Sequence, residues 1–329
     1  MKFRKGVYEK YGLNSCKFDE SMFWEDWGEK LYSNRLGRVA DDIISEASER
    51  LFLTAPLSDN DMKTISDKET IQSARDAEDF RSKVAAVKIN ESMEPLVDLR
   101  NTNEALNNIW TFTKLGYHEA CGEWAGKDKL FLVRSSVACR LSDLASKLIL
   151  LDSKIHFQDG FRPLGVQEGL FSRRIRMAKE AHPDWNGEQI LLEARSKTAF
   201  TPRFAAHKAG AAVDVSLYNY VSGDFHDIGQ GYPNGGELVR QNTEFLTQKQ
   251  WQNRKILEHV ARSCGLLMYP YESWHLCYGD TTAAVVLGGK LPYVAQYGPI
   301  KSYDSKTGKI TSVYTPEELD AIFSLDGVM

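Results

Sequence analysis

Ala212–Tyr218 is the stretch that most narrows what this chain can fold into. Val213, Val215 and Leu217 alternate with Asp214, Ser216 and Tyr218. A period of two puts the two sets on opposite faces of a strand. One face is apolar and built for a core, and the other carries a carboxylate. Just upstream stands His207-Lys208-Ala209-Gly210, an imidazole followed by a turn glycine.

Two more segments read as strand. Residues 154–163 (KIHFQDGFRP) alternate and end in Gly and Pro, as a strand running into a turn does. Residues 266–280 (LLMYPYESWHLCYGD) form a further strand region, and VDLR (97–100) a short one. Helical spacing dominates elsewhere. Leu36, Val39, Ile43, Ile44, Ala47 and Leu51 make one stripe, with Ser58 and Asp59 as caps for a second helix. Lys129–Leu151 carries a helical stripe through Val137, Leu141, Leu144, Ala145 and Leu148. Residues 165–197 are helical with a break at His182-Pro183, 247–263 are helical, and Thr315-Pro316-Glu317-Glu318 starts a last helix. The segment 222–236, rich in Gly and Asn, is loop. Strands and helices mix without regular βαβ alternation, and neither GxGxxG nor GxxxxGK[ST] occurs. The expected fold is α+β, a small, mostly antiparallel sheet with helices packed around it.

Charge divides the chain. The net charge of −4 over 329 residues lies wholly in residues 1–95, where only Pro56 precedes Pro95 among the ten prolines. We therefore expect residues 1–95 to be a helical N-terminal extension on a main domain of 96–329. The charge gives no reason to expect a nucleic-acid partner. Five cysteines without a CxxC pair read as reduced thiols. No secretory signal or membrane-length apolar run is visible, so the expected location is cytoplasmic and no membrane partner is expected.

Three short segments carry chemistry. His207 and Asp214 can converge on a borderline metal such as zinc. Glu272-Ser273-Trp274-His275 supplies a second imidazole and another carboxylate. In a regular strand those two would face opposite sides, so a shared site needs Glu272 in an irregular entry after Pro270. Asp159-Gly160-Phe161-Arg162-Pro163 sets an arginine at a pocket rim. Taken singly, each reads as an ordinary core histidine, surface glutamate or solvated arginine. Together they make two imidazoles and one carboxylate for zinc with a fourth position open, a glutamate as general base and an arginine for an oxyanion. His259 reads as structural on the helix 247–263, the face of His156 is undecided, and His118, His182 and His226 read as loop or helix-end residues; Cys264 and Cys277 would close the open position if they ligated.

HxxGxAxD followed by ExWH, with DGFRP upstream, resembles the zinc D-alanyl-D-alanine dipeptidases of the VanX type, the M15 (LAS-type) metallopeptidases. VDLR (97–100), LFLVRSSVACRL (130–141), VDVSLY (213–218) and NRKILEHVARSCG (253–265) follow in the same order. The likeness covers roughly 97–300. It implies a zinc site at the sheet held by His207, Asp214 and His275, Glu272 as catalytic base and Arg162 stabilising the tetrahedral intermediate. It also implies a D-amino-acid dipeptide or peptidoglycan-type peptide as substrate. For residues 1–95, which the likeness does not cover, the expectation is a segment that caps the pocket or mediates a homo-oligomer.

Two positions depart from that pattern. The family has Ser two residues before the first His ligand, where this chain has Ala205. It has Asp after a Met-Gly-x-x-aromatic run, an anchor for the substrate amine. Here Ile228-Gly229-Gln230-Gly231-Tyr232 is followed by Pro233, with Glu237 or Asp224 as substitute anions. Without that anion, a carboxypeptidase or endopeptidase on peptidoglycan stem peptides is the nearest alternative to a dipeptidase. A non-catalytic zinc-stabilised binding module is the alternative of a different class.

Overall fold

The alternating segments become the centre of the molecule in a computed structural model that describes residues 6–198, 206–288 and 294–322. The main sheet has five strands: β1 (Trp110–Phe112), β2 (Ser153–Asp159), β3 (Ala212–Asn219), β4 (Leu267–Met268) and β5 (His275–Cys277). Their spatial order is β1-β2-β3-β5-β4. Only β1–β2 is parallel; the other three pairings are antiparallel. The architecture is therefore α+β with a small, mostly antiparallel sheet.

Seven of the helices matter here. They are α1 (Gly37–Ala47), α2 (Asp59–Ala85), α3 (Ser135–Ile149), α4 (Leu164–Ala181), α5 (Gly187–Lys197), α6 (Gln248–Ser263) and α7 (Thr281–Val286). Side chains fix their starts. Ser58 accepts from the Asp61 amide at the head of α2. Asn186 with Gln189 and Thr247 with Gln250 form reciprocal capping boxes on α5 and α6. Thr315 and Glu318 cap the last helix in the same reciprocal way, as its sequence predicts.

The apolar face of β3 decides where the core lies. Val213, Val215 and Leu217 are buried with Ile155 and Phe157 of β2, Leu276 of β5, Val137, Leu141 and Leu148 of α3, and Ile256 and Val260 of α6. Full burial of such a side chain is worth about 1.5–3 kcal/mol. The same cluster takes in Phe23, Trp27, Leu31, Val39, Ile43 and Phe52 from the first third. Helix α2 packs along α5 and reaches α7. Beyond it, Lys88–Ile89 pairs in parallel with Val294–Ala295.

Local differences from expectation have plain causes. Leu132–Arg134, inside the stretch read as helix, is a strand antiparallel to Leu96–Asp98. The helical stripe begins only at Val137, and Val133 is instead paired with Val97. The strand region 266–280 is two short strands separated by a turn containing Pro270, which lacks the N–H a ladder needs. Leu51 lies beyond the end of α1, in a short strand pairing with Ser15–Lys17. No helix of the described residues is long and apolar enough to cross a membrane.

Candidate active site

Asp214 and His275 are direct cross-strand partners on β3 and β5. That register turns the polar face of β3 into a site. His207 is delivered by a short 3-10 turn, Ala206–Ala209, that precedes β3. The chain reverses at Gly210, whose φ of +65° is in the left-handed region that favours glycine. Buried Arg134 holds this turn from behind. Its Nε donates to the Ala209 carbonyl at 2.8 Å, and its backbone amide donates to the Gly210 carbonyl at 2.7 Å.

Glu272 lies in the turn between β4 and β5, where its backbone amide donates to the Tyr269 carbonyl at 3.2 Å. This irregular entry puts its carboxylate on the same side as His275, 3.7 Å from Nδ1. Arg162 leaves the end of β2 after Gly160. A Cβ on Gly160 would lie 2.6 Å from the Leu130 carbonyl oxygen and 2.9 Å from the Phe131 Cα, so only glycine fits this crossing. Arg162, His207, Asp214, Glu272 and His275 line one cleft.

The atoms converge closely. Potential ligand atoms of His207, Asp214 and His275 lie within 4.8 Å of one another, and all three residues are buried. His207 Nδ1 donates to the Gly160 carbonyl at 2.7 Å. Nε2 of the neutral ring then carries the lone pair. That buried Nε2 has no hydrogen-bond partner among the described residues, and it lies 3.2 Å from Asp214 Oδ1. The same oxygen is 3.0 Å from His275 Nδ1. A lone pair facing a carboxylate oxygen, both buried, is a donor set that a cation completes. Two imidazoles and one carboxylate suit zinc.

The second oxygen of Asp214 is taken. Arg162 donates through Nη2 to Asp214 Oδ2 at 2.8 Å and through Nε to Asp159 Oδ2 at 3.1 Å. The Tyr232 hydroxyl donates to that same Asp159 oxygen and accepts from Lys129 Nζ at 2.9 Å.

Proton affinities follow from these contacts. Burial would raise Asp214, yet His207, His275 and Arg162 hold it well below the ordinary carboxylate range. Burial and the Arg162 charge push His207 down and keep it neutral. Burial opposes protonation of His275, but Asp214 and Glu272 outweigh it and push the imidazole up. Glu272 is raised by burial and by Asp214, against the pull of His275, Arg162 and Arg81. A carboxylate pushed up beside one held down has the division of labour expected of a proton acceptor beside a fixed anion.

Tyr232, Pro233 and Asn234 line the cleft, as the run ending in Tyr232 suggests. The two substitute anions do not. Asp224 is exposed in its loop, and Glu237 is engaged by Arg240 at 3.1 Å. Among the described residues, Asp214 and Glu272 are the only carboxylates lining the cleft. Ala205 lies outside the described residues.

The remaining histidines have local work. His259 pairs with Glu46 at 2.9 Å, and His156 meets the Thr111 hydroxyl at 2.8 Å. His118 accepts from the Ala120 amide, and His182 stacks on Trp185. Cys264 and Cys277 are free and buried outside the ligand cluster.

Sequence reading gave no role to Asp159, Arg134, Arg174 or Arg81. For Arg81 a signal exists. Ala77, Arg81 and Val84 follow helical spacing on the buried face of α2, and an arginine within an apolar stripe marks a place where charge is wanted.

Residues 121–293, just over half the chain, match the peptidase M15 family model, described as D-ala-D-ala dipeptidase. The chain belongs to this family. Among individual proteins it is similar to a D-alanyl-D-alanine dipeptidase of Enterococcus faecalis, 22% identical over 121 residues, which are 36% of this chain and 58% of that protein. It is also similar to a D-alanyl-D-alanine dipeptidase of Streptomyces coelicolor, 27% identical over 71 residues, 22% of this chain and 35% of that protein. The chain thus spans less than two thirds of the length of either relative.

Proposed function

We propose that this chain is a zinc-dependent D,D-peptidase of the VanX type that hydrolyses the D-alanyl-D-alanine peptide bond. The observation that carries the reading is the bare, buried Nε2 of His207 facing Asp214 Oδ1 and His275 Nδ1, with Glu272 alongside. His207, Asp214 and His275 would hold the zinc. When bound, zinc lowers the pKa of a water toward ~7 and polarises a carbonyl.

The chain's own groups do the rest. Glu272, with its raised proton affinity, accepts the proton of the attacking water and returns it to the leaving amine. Arg162, held on two sides by Asp159 and Asp214, offers a fixed positive charge to the oxyanion that develops at the carbonyl. Asp159 is a positioning residue, because it acts through Arg162 and Tyr232. Residues 96–329 form the catalytic domain in this reading, and 1–95 the helical extension packed on it.

A second reading concerns substrate length. Among the described residues, a cleft lined by no carboxylates besides Asp214 and Glu272 offers no further anion for a substrate ammonium. That favours cleavage of N-acylated peptides ending in D-Ala-D-Ala alongside, or ahead of, the free dipeptide.

The test is D-alanine release by the full-length protein from D-Ala-D-Ala and from N-acetyl-D-Ala-D-Ala, together with metal analysis. Stoichiometric zinc with release from at least one substrate supports the peptidase. Release from neither after zinc reconstitution overturns it, and bound zinc without turnover points instead to a zinc-stabilised binding module.

A further inference from the structure

Part of the cleft lining comes from outside the family match. Phe80, Arg81 and Val84 of α2 line the cleft together with Glu272 and His275. Arg81 is only 7% exposed. Its Nη2 makes a long contact, 3.4 Å, to the Ser196 carbonyl, its guanidinium also interacts with the Tyr269 hydroxyl, and its buried Nη1 has no hydrogen-bond partner among the described residues. No Asp or Glu among the described residues forms an ion pair with it; the acids nearby on α2 are engaged elsewhere, Glu78 by Arg195 and Asp76 by Arg240.

A buried guanidinium with an unpartnered nitrogen and no carboxylate in contact is costly, and packing alone does not call for one. The other cations differ. Arg162 is compensated by two carboxylates and Lys197 by Glu193. Arg174 spends Nη2 on the Pro233 carbonyl at 2.7 Å. Arg173, which also lines the cleft, is only half-buried, as is Arg174. Arg81 is therefore the fully buried arginine of the cleft, with donor capacity left over and no ion-paired carboxylate among the described residues. A planar guanidinium with free donors matches a carboxylate in shape and charge.

We infer that Arg81 is a specificity-determining residue that binds the free terminal carboxylate of the peptide substrate, so that the N-terminal helix selects peptides cut at their C-terminal end. The inference rests on the peptidase reading above. It applies equally to a free dipeptide and to an acylated peptide, since both end in the same carboxylate.

The test compares N-acetyl-D-Ala-D-Ala with its C-terminal amide, using the zinc-loaded full chain. In the wild type the amide is the poorer substrate. In Arg81→Gln, kcat/KM for the carboxylate substrate falls by about 10- to 100-fold, the range for losing a hydrogen bond to a charged group. The loss sits in KM, and the amide rate changes little, so the preference collapses. Arg81→Lys restores part of the preference and carries the test if the glutamine variant does not fold. An undiminished preference in folded variants, or a wild type indifferent to the carboxylate, overturns the inference while leaving the peptidase intact. A wild type that cleaves neither peptide nor D-Ala-D-Ala overturns the peptidase reading itself, and this inference with it.

Discussion

Arg162 and Asp214 form a buried ion pair, Nη2 to Oδ2 at 2.8 Å, and the pair decides which oxygen of Asp214 is left for the imidazoles. Oδ1 alone faces His207 and His275. Arg162 is therefore tied to the ligand set as well as to the proposed oxyanion. Arg162→Lys keeps the charge but cannot span Asp159 and Asp214 as a fork does. The expected outcome is a fall in kcat of about 10²–10³, the range for losing an oxyanion donor. Steady-state kinetics on D-Ala-D-Ala peptides check it; an unchanged kcat removes Arg162 from the mechanism.

Glu272 and His207 should separate chemistry from metal binding. Glu272→Gln removes the proton acceptor while preserving shape, and kcat is expected to fall by about 10²–10⁴ with zinc content intact. His207→Ala should lose the zinc itself. Metal analysis beside turnover measurements distinguishes the two variants, and equal zinc loss in both would contradict the assigned roles.

Gly160→Ala probes the crossing under the site. The added methyl meets backbone at Leu130 and Phe131, which cannot swing aside as a side chain can. Overpacking of this kind costs about 1–3 kcal/mol. Because the Gly160 carbonyl orients His207, zinc affinity should also drop, by about 10- to 100-fold, as for other groups that orient a ligand. Thermal denaturation and a zinc competition titration measure the two effects separately.

His226 gives the fold a pH dependence remote from the metal ligands. Its ring packs tilted against Trp27 and meets the Ser153 hydroxyl at 2.9 Å, and burial pushes its imidazole down to about 4, helped by the charges of Lys30 and Lys249. The folded value lies below the ordinary one of 6.5. The unfolded chain therefore takes up the proton first as pH falls. Stability from this residue is full above about 6.5 and is lost progressively down to about 4, by up to about 3 kcal/mol. Denaturant titrations of the wild type and His226→Gln at pH 7 and pH 4.5 should show a smaller acid loss in the variant. Parallel losses would rule the residue out.

Much of this site was legible because its chemistry is local in sequence. The alternation of 212–218 put Asp214 on the polar face of β3. Pro270 forced the irregular entry that lets Glu272 and His275 share a side, and both features are present in the structure. What could not be read is what strand register and helix packing assemble. Nothing near Asp214 announces that it sits opposite His275, and nothing in 59–85 says which helix face meets the cleft. The weak apolar stripe of α2 concealed Arg81 among buried Ala77 and Val84. The strand at Leu132–Arg134 was hidden because its partner, Leu96–Asp98, lies 34 residues before Leu132 at the nearest.

Helix α2 lining the cleft has a consequence for how such an enzyme diverges. The proposed ligands and proton acceptor are encoded between 207 and 275, and this part of the lining is encoded more than a hundred residues earlier. A mutation in one stretch need not disturb the other. Substrate choice can then drift through changes on one turn of α2 while the hydrolytic groups stay as they are. Two chains with the same motif spacing could in this way act on different peptides, and the difference would be found in a helix that the motifs do not include.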